Sequence, residues 1–169
     1  MEELKNKKSR FKRYQPLLVL ILVAILAAVA LVYNAEEKSL LAWMHFFMGF
    51  FLCQFSMLKL FHPTGFVQGF QKYDLLAKRS LSYAYTYPFI ELFLGLAYLA
   101  SIYPYAIYIV TIVLMGIGTV GVIRALKAGL DLRCACMGTI LDVPLSTVTL
   151  SEDIIMGVMA CWMLITTSI

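Results

Sequence analysis

Long apolar stretches separated by short polar ones set the pattern of this chain. Pro16 to Tyr33 is an uncharged run of Leu, Val, Ile and Ala. That is about the minimum length that crosses a hydrocarbon core of about 30 Å. Its rival reading is a cleaved signal segment, because Ala28-Val29-Ala30 imitates a small-residue cleavage site. The run is longer than the apolar region of such a segment, which favours an uncleaved helix. A second span is expected from Leu40 to Phe61, where Gly49 and Cys53 stand at a small-xxx-small spacing that lets a neighbouring helix approach closely. A third covers Tyr83 to Ile102. A fourth, Ala106 to Leu126, follows the Tyr103-Pro104-Tyr105 turn and carries Gly121 and Ala125 on a second small-residue face. The fifth is expected from Asp153 to Thr167, behind Thr149-Leu150-Ser151-Glu152, which has the form of a capping box.

The polar segments are as informative. Pro63 to Ser82 holds Lys72, Asp74, Lys78 and Arg79, and within it Gly65 to Tyr73 predicts a short interfacial helix with aromatics on one face. The connection between the last two spans runs to roughly two dozen residues, against about 4–6 for an ordinary connection. With Leu141, Val143, Pro144, Leu145 and Val148 it is too apolar for a solvated linker, so it is expected to dip into the interface or pack on the bundle. The pattern as a whole predicts an all-α polytopic membrane protein of five spans. A basic tail (1–15) leads into an N-terminal transmembrane helix (16–33), and an antiparallel four-helix bundle follows (40–167).

Composition supports the class: 62% of side chains are hydrophobic and 14% charged, against about 45–50% and 25% in soluble domains. Charge then orients the chain. Lys5, Lys7, Lys8, Arg10, Lys12 and Arg13 lie in the tail. Lys59, Lys72, Lys78, Arg79, Arg124, Lys127 and Arg133 lie on the same expected side, and only Lys38 opposes them. The positive-inside rule therefore places the N-terminus in the cytoplasm and the C-terminus outside, in the inner cell membrane. The net charge of +4 is accounted for by this flank and calls for no nucleic-acid partner. No P-loop, dinucleotide fingerprint, HExxH or GxSxG motif is present.

The chemistry concentrates in Asp131 to Gly138. Cys134 and Cys136 lie one residue apart beside Arg133, a cation that favours thiolate over thiol. A disulfide between them would close a very small ring, strained and readily reduced, which suits exchange chemistry better than bracing. Two thiolates also suit a soft metal ion such as Cu(I) or Zn(II), although a closed zinc site needs two further ligands. The plain alternative is that both are small packing residues. On the cytoplasmic side the pair would meet a cellular reductant, a thiol partner or a cytosolic metal. No cofactor other than such an ion is suggested.

Glu91 is the second candidate. A carboxylate inside an apolar span is expected to face the bundle interior, as a proton-transfer group or as neutral hydrogen-bonding glue. Pro88, one turn earlier, frees a backbone carbonyl, and Lys59 is a candidate partner if it does not snorkel to the interface. Cys53, Cys161 and His45 read as structural.

Several of these elements together resemble a known family. They are Lys59-Leu60-Phe61, Tyr73-Asp74-Leu75-Leu76, Pro88-Phe89-Ile90-Glu91 with Gly95 beyond, and Cys134-x-Cys136-x-Gly138. In combination they resemble the MauE branch of the DoxX-like membrane proteins, over about residues 40–167. The resemblance implies a four-helix membrane bundle, redox-associated, with an accessory role in maturation of a disulfide-rich partner, as MauE is thought to assist the small subunit of methylamine dehydrogenase. It implies functional weight for Pro88, Glu91, Cys134, Cys136 and Gly138, and a thioredoxin-like or other thiol protein as partner.

Overall fold

The computed structural model describes residues 2–36, 38–129 and 145–168, and all regular structure among them is helical. Cys134, Cys136, Arg133 and Gly138 lie outside the described residues. Among the described residues six helices follow one another: α1 (Glu2–Asn34), α2 (Leu40–Phe61), α3 (Pro63–Phe70), α4 (Leu81–Leu99), α5 (Pro104–Lys127) and α6 (Leu145–Ser168). Four contain stretches long and apolar enough to cross a membrane: Gln15–Asn34 within α1, all of α2 and α5, and Thr149–Thr167 within α6. The 19-residue α4 falls short of that apolarity, because its first half carries Ser82, Tyr83, Tyr85, Thr86 and Tyr87, and Glu91 follows just past the midpoint.

The helix boundaries have local causes. The Ser39 side chain accepts the Ala42 amide at the start of α2, and Ser80 does the same for Tyr83 at the start of α4, each satisfying a donor the first turn leaves free. Pro63 and Pro104 open α3 and α5, where a missing amide costs nothing. α4 closes in a Schellman arrangement: Ile102 N–H donates to Ala97 O and Ser101 N–H to Tyr98 O, with Ser101 left-handed at φ 53°.

Two expectations change. The helix of the expected fifth span, α6, begins at Leu145, not Asp153, so Thr149 to Glu152 lie inside it and form no cap. The residue at 145 follows Pro144 in the sequence, and a proline before an apolar run starts a helix as well as a capping box does. The basic tail is also not separate from the first span: helix runs unbroken from Glu2 through Pro16 to Asn34.

Packing is pairwise, α2 with α4 and α5 with α6, with α1 against α2 and the short α3 against α4. The α2–α4 pair meets at glycines. A methyl on Gly95 would lie 2.7 Å from Cys53 Sγ and 2.9 Å from both Cys53 N and Gly49 O. Gly49 and Cys53 are therefore the close-approach face their spacing predicts, and Gly95 is its partner. The Gly121–Ala125 face does something else. A methyl on Gly121 would lie 2.7 Å from the Tyr73 carbonyl, so this face receives the turn at 71–80 rather than a helix. On the outside, large apolar residues such as Leu22, Phe93, Val113 and Ile155 are exposed, the inverted surface a lipid-facing protein presents.

Candidate functional site

Lys59 stands in the last turn of α2 and Glu91 near the middle of α4. Lys59 Nζ donates to both Glu91 oxygens at 2.5 Å, and the two side chains are 6% and 4% exposed. Lys59 therefore does not snorkel. Its ammonium also lies over the Tyr87 ring, 5.1 Å from the centroid, and over the Phe66 ring at 5.6 Å, within cation–π range of both. Phe66 comes from α3, whose aromatics Phe66 and Phe70 turn inward and stack on each other at 4.9 Å. Phe70 meets Tyr87 at 4.4 Å. The interfacial helix predicted around Gly65 to Tyr73 is thus a lid over the ion pair, shifted to Pro63–Phe70. Pro88 is buried one turn before Glu91, and α4 continues through it.

α6 contributes a third charge. Asp153 lies on one helical stripe with Met156, Ala160 and Met163, all buried. A methyl on Gly118 of α5 would lie 2.7 Å from Asp153 Oδ2, so the carboxylate occupies space that only glycine leaves. It interacts electrostatically with Lys59, Glu91 and Asp74. Asp74, 1% exposed, accepts the amides of Leu76 at 2.9 Å and Ala77 at 2.8 Å through Oδ1 and so shapes the 71–80 turn. Burial pushes its carboxyl above the usual carboxylate range, while those two amides and nearby Lys78 pull it back.

The Glu91 carboxylate of α4 thus pairs with the ammonium of α2, Asp153 of α6 lies within reach of both, and Asp74 of the 71–80 turn lies within reach of Asp153. Desolvated charges of this kind are costly unless paired, and breaking such a pair by removing one partner typically costs about 3–5 kcal/mol. Chemically, the cluster fixes charge within the protein and offers carboxylates that can take up a proton. The sequence suggests the Lys59–Glu91 pair but misses Asp153 and Asp74. Asp153 reads as a first-turn acid behind a cap. Its helical spacing with Met156, Ala160 and Met163 is the signal that would have marked it as inward.

The remaining candidates are elsewhere. Cys53 is partly buried at the α2–α4 crossing, and Cys161 is exposed on α6. Among the described residues no three His, Cys, Asp or Glu side chains are disposed to hold a metal ion. Cys134 and Cys136 belong to the connection between α5 and α6. Its two anchors, the C-terminus of α5 and the N-terminus of α6, lie toward the end of the bundle that holds Lys59 and Asp153.

No curated protein and no solved structure matches the chain. A family model, described as methylamine utilisation protein MauE, matches residues 37–166. The match takes in Lys59, Asp74, Glu91, Asp153 and both Cys134 and Cys136, and leaves α1 outside. By this match the chain belongs to the MauE family of membrane proteins.

Proposed function

We propose that this protein is an inner-membrane accessory protein whose Cys134/Cys136 pair exchanges thiol and disulfide with a partner protein, helping that partner mature. In this reading α4 is the fifth span, and residues 40–167 form an antiparallel four-helix bundle. The N-terminus and the α5–α6 connection are cytoplasmic, and the C-terminus is outside. The observation that carries the reading is the family match, which includes the Cys-x-Cys pair. The buried charge cluster at the base of α6 supports it, because it fixes the helix that leads out of the dithiol segment.

The exchange balances as follows. One cysteine thiolate attacks a partner disulfide, a mixed disulfide forms, and one partner sulfur leaves as thiolate. The second cysteine, deprotonated, attacks the mixed bond and releases the other partner sulfur. Two electrons pass to the partner, and Cys134 and Cys136 are left as a disulfide. Run backwards, the same steps oxidise a partner dithiol. Arg133, the neighbouring cation in the sequence, favours the thiolate, and Lys59 with Glu91 ties α2 to α4 in the bundle that carries the segment. A Cys136→Ser variant retains the attacking thiol and loses the resolving one, so it should accumulate a mixed disulfide with the partner. Absence of any Cys134-dependent adduct, under oxidising and reducing conditions alike, would count against the proposal. If instead the purified protein carries Cu(I) or Zn(II) that a Cys134→Ser/Cys136→Ser variant lacks, the two sulfurs serve a soft metal.

A further inference from the structure

At the end of the bundle that holds Lys59, five cations stand exposed: Lys72, Lys78 and Arg79 in the 71–80 turn, and Arg124 and Lys127 in the last turn of α5. The close contact of Gly121 with the Tyr73 carbonyl holds that turn against α5 within two helical turns of Arg124 and Lys127, so both sets share one end. Among the described residues none of the five is ion-paired. Asp74, the carboxylate that Lys78 reaches electrostatically, is buried and accepts two backbone amides instead. The dipole of α5 favours Arg124 and Lys127 at its C-terminus. Lys78 and Arg79 stand just before the N-terminus of α4, where a helix dipole disfavours a cation. Orienting the chain requires cations on this side of the membrane, but it does not require them at that helix end.

The surface that follows these cations along the chain is apolar. Leu81, Tyr85, Phe89 and Phe93 recur at every fourth residue of α4 and are all exposed, so they form a slowly winding stripe that faces away from the bundle. From Leu81 to Phe93 the stripe runs about 18 Å at 1.5 Å per residue, against about 15 Å for the hydrocarbon of one leaflet. An acyl chain laid on it from the cations reaches the middle of the bilayer. The combination is selective. A free phosphate or an acidic protein would meet the cations and leave the stripe uncovered. A zwitterionic lipid would cover the stripe but bring an ammonium of its own toward Lys78 and Arg79. A lipid with a net negative headgroup satisfies both parts.

From these observations we propose that this face docks an anionic phospholipid, its phosphate held by Lys78 and Arg79 and an acyl chain laid along Leu81, Tyr85, Phe89 and Phe93. Lys72, Arg124 and Lys127 add to the positive potential that draws such lipids to this end. The inference rests on α4 crossing the membrane, as proposed above, and stands whether or not the dithiol exchanges.

The chain has two tryptophans, so Tyr85→Trp in a Trp43→Phe/Trp162→Phe background places the sole indole on the stripe. Trp43→Phe alone leaves Trp162, exposed toward the other end of α6, as the control. The full-length proteins are reconstituted in mixtures of phosphatidylcholine and phosphatidylglycerol, with bromine on the acyl chains of one lipid or the other. Fluorescence quenching then gives the ratio in which the two lipids bind beside each indole. Phosphatidylglycerol should be preferred on the stripe, and the preference should weaken as salt is raised. Lys78→Gln/Arg79→Gln, which removes about fivefold of attraction for each cation, should bring the ratio down to that at Trp162. Should Tyr85→Trp fail to fold, Phe89→Trp one turn further along takes its place. A ratio near one on the stripe would overturn the proposal and leave the cations to an acidic protein. A preference equally strong at Trp162, or one that survives Lys78→Gln/Arg79→Gln, would also overturn it. In each of these cases the quenching still places α4 in lipid, whereas no quenching by either lipid would overturn the α4 span as well. Inorganic phosphate that abolishes the preference, where chloride of equal ionic strength does not, would assign the cations to a free phosphate and sink the lipid proposal.

Discussion

Exchanging Lys59 and Glu91 for methionine, singly and together, tests the energetic core of the candidate site. Each side chain is almost wholly desolvated, and both Glu91 oxygens receive the same ammonium. Lys59→Met leaves Glu91 facing Asp153 without the ammonium it binds, and Glu91→Met leaves the ammonium over Tyr87 and Phe66 without that carboxylate. Each single variant should lose about 3–5 kcal/mol, the usual cost of stranding one member of a buried pair. The double variant strands neither member of the pair, and methionine fills much of the vacated volume, so it should cost no more than Lys59→Met, which likewise leaves Asp153 without the ammonium. The coupling energy is then about 3 kcal/mol or more, well beyond the ~0.5 kcal/mol within which independent sites add. Unfolding in mixed micelles, followed by the fluorescence of Trp43 and Trp162, supplies the four free energies. Additive losses would refute the pairing on which the site is built.

Four further expectations follow from the geometry. Gly95→Ala should destabilise by about 1–3 kcal/mol in the same assay, because its methyl meets the backbone at Cys53 N and Gly49 O, which cannot yield as a side chain can. Gly118→Ala should push the Asp153 carboxylate aside and lower the Lys59–Glu91 coupling measured in the cycle; an unchanged coupling would separate Asp153 from the site. Ser101→Gly should stabilise by about 1 kcal/mol, since glycine adopts the left-handed conformation without a Cβ penalty. For Asp74 the sign is unusual. Burial raises its folded pKa above the unfolded value, so the ionised form costs stability above the folded pKa, and this cost is relieved as pH falls toward the unfolded value. Relative to Asp74→Asn, the wild type should therefore gain stability on mild acidification. A relative loss would reverse the assignment.

Much of this fold is legible in the sequence because apolar helices are bounded by what they exclude. Charge and proline end the runs, and α2 falls on Leu40–Phe61 as the pattern predicts. Gly49 and Cys53 announce a close contact, but only tertiary structure names Gly95 as the partner. Lys59 and Glu91 each stand out as ionisable groups among apolar residues, and their pairing follows from the crossing of α2 and α4. Asp153 and Asp74 are hidden for a different reason. Each lies beside residues that form a plausible local cap or turn, and local hydrogen bonding is the ordinary explanation for an aspartate in such company. For Asp74 that explanation is true, and burial is added to it. For Asp153 the cap does not exist, because α6 starts two turns earlier.

The proposed function requires that Cys134 and Cys136 form a reversible dithiol couple. Equilibrating the purified full-length protein across glutathione buffers, and counting free thiols at the two positions by differential alkylation and mass spectrometry, tests it most directly. Joint, two-electron interconversion is expected at a potential well above the roughly −300 mV below which structural disulfides lie, because two cysteines one residue apart would close a very small ring. Two thiols that stay free at every poise, or that form only separate glutathione adducts, would contradict it.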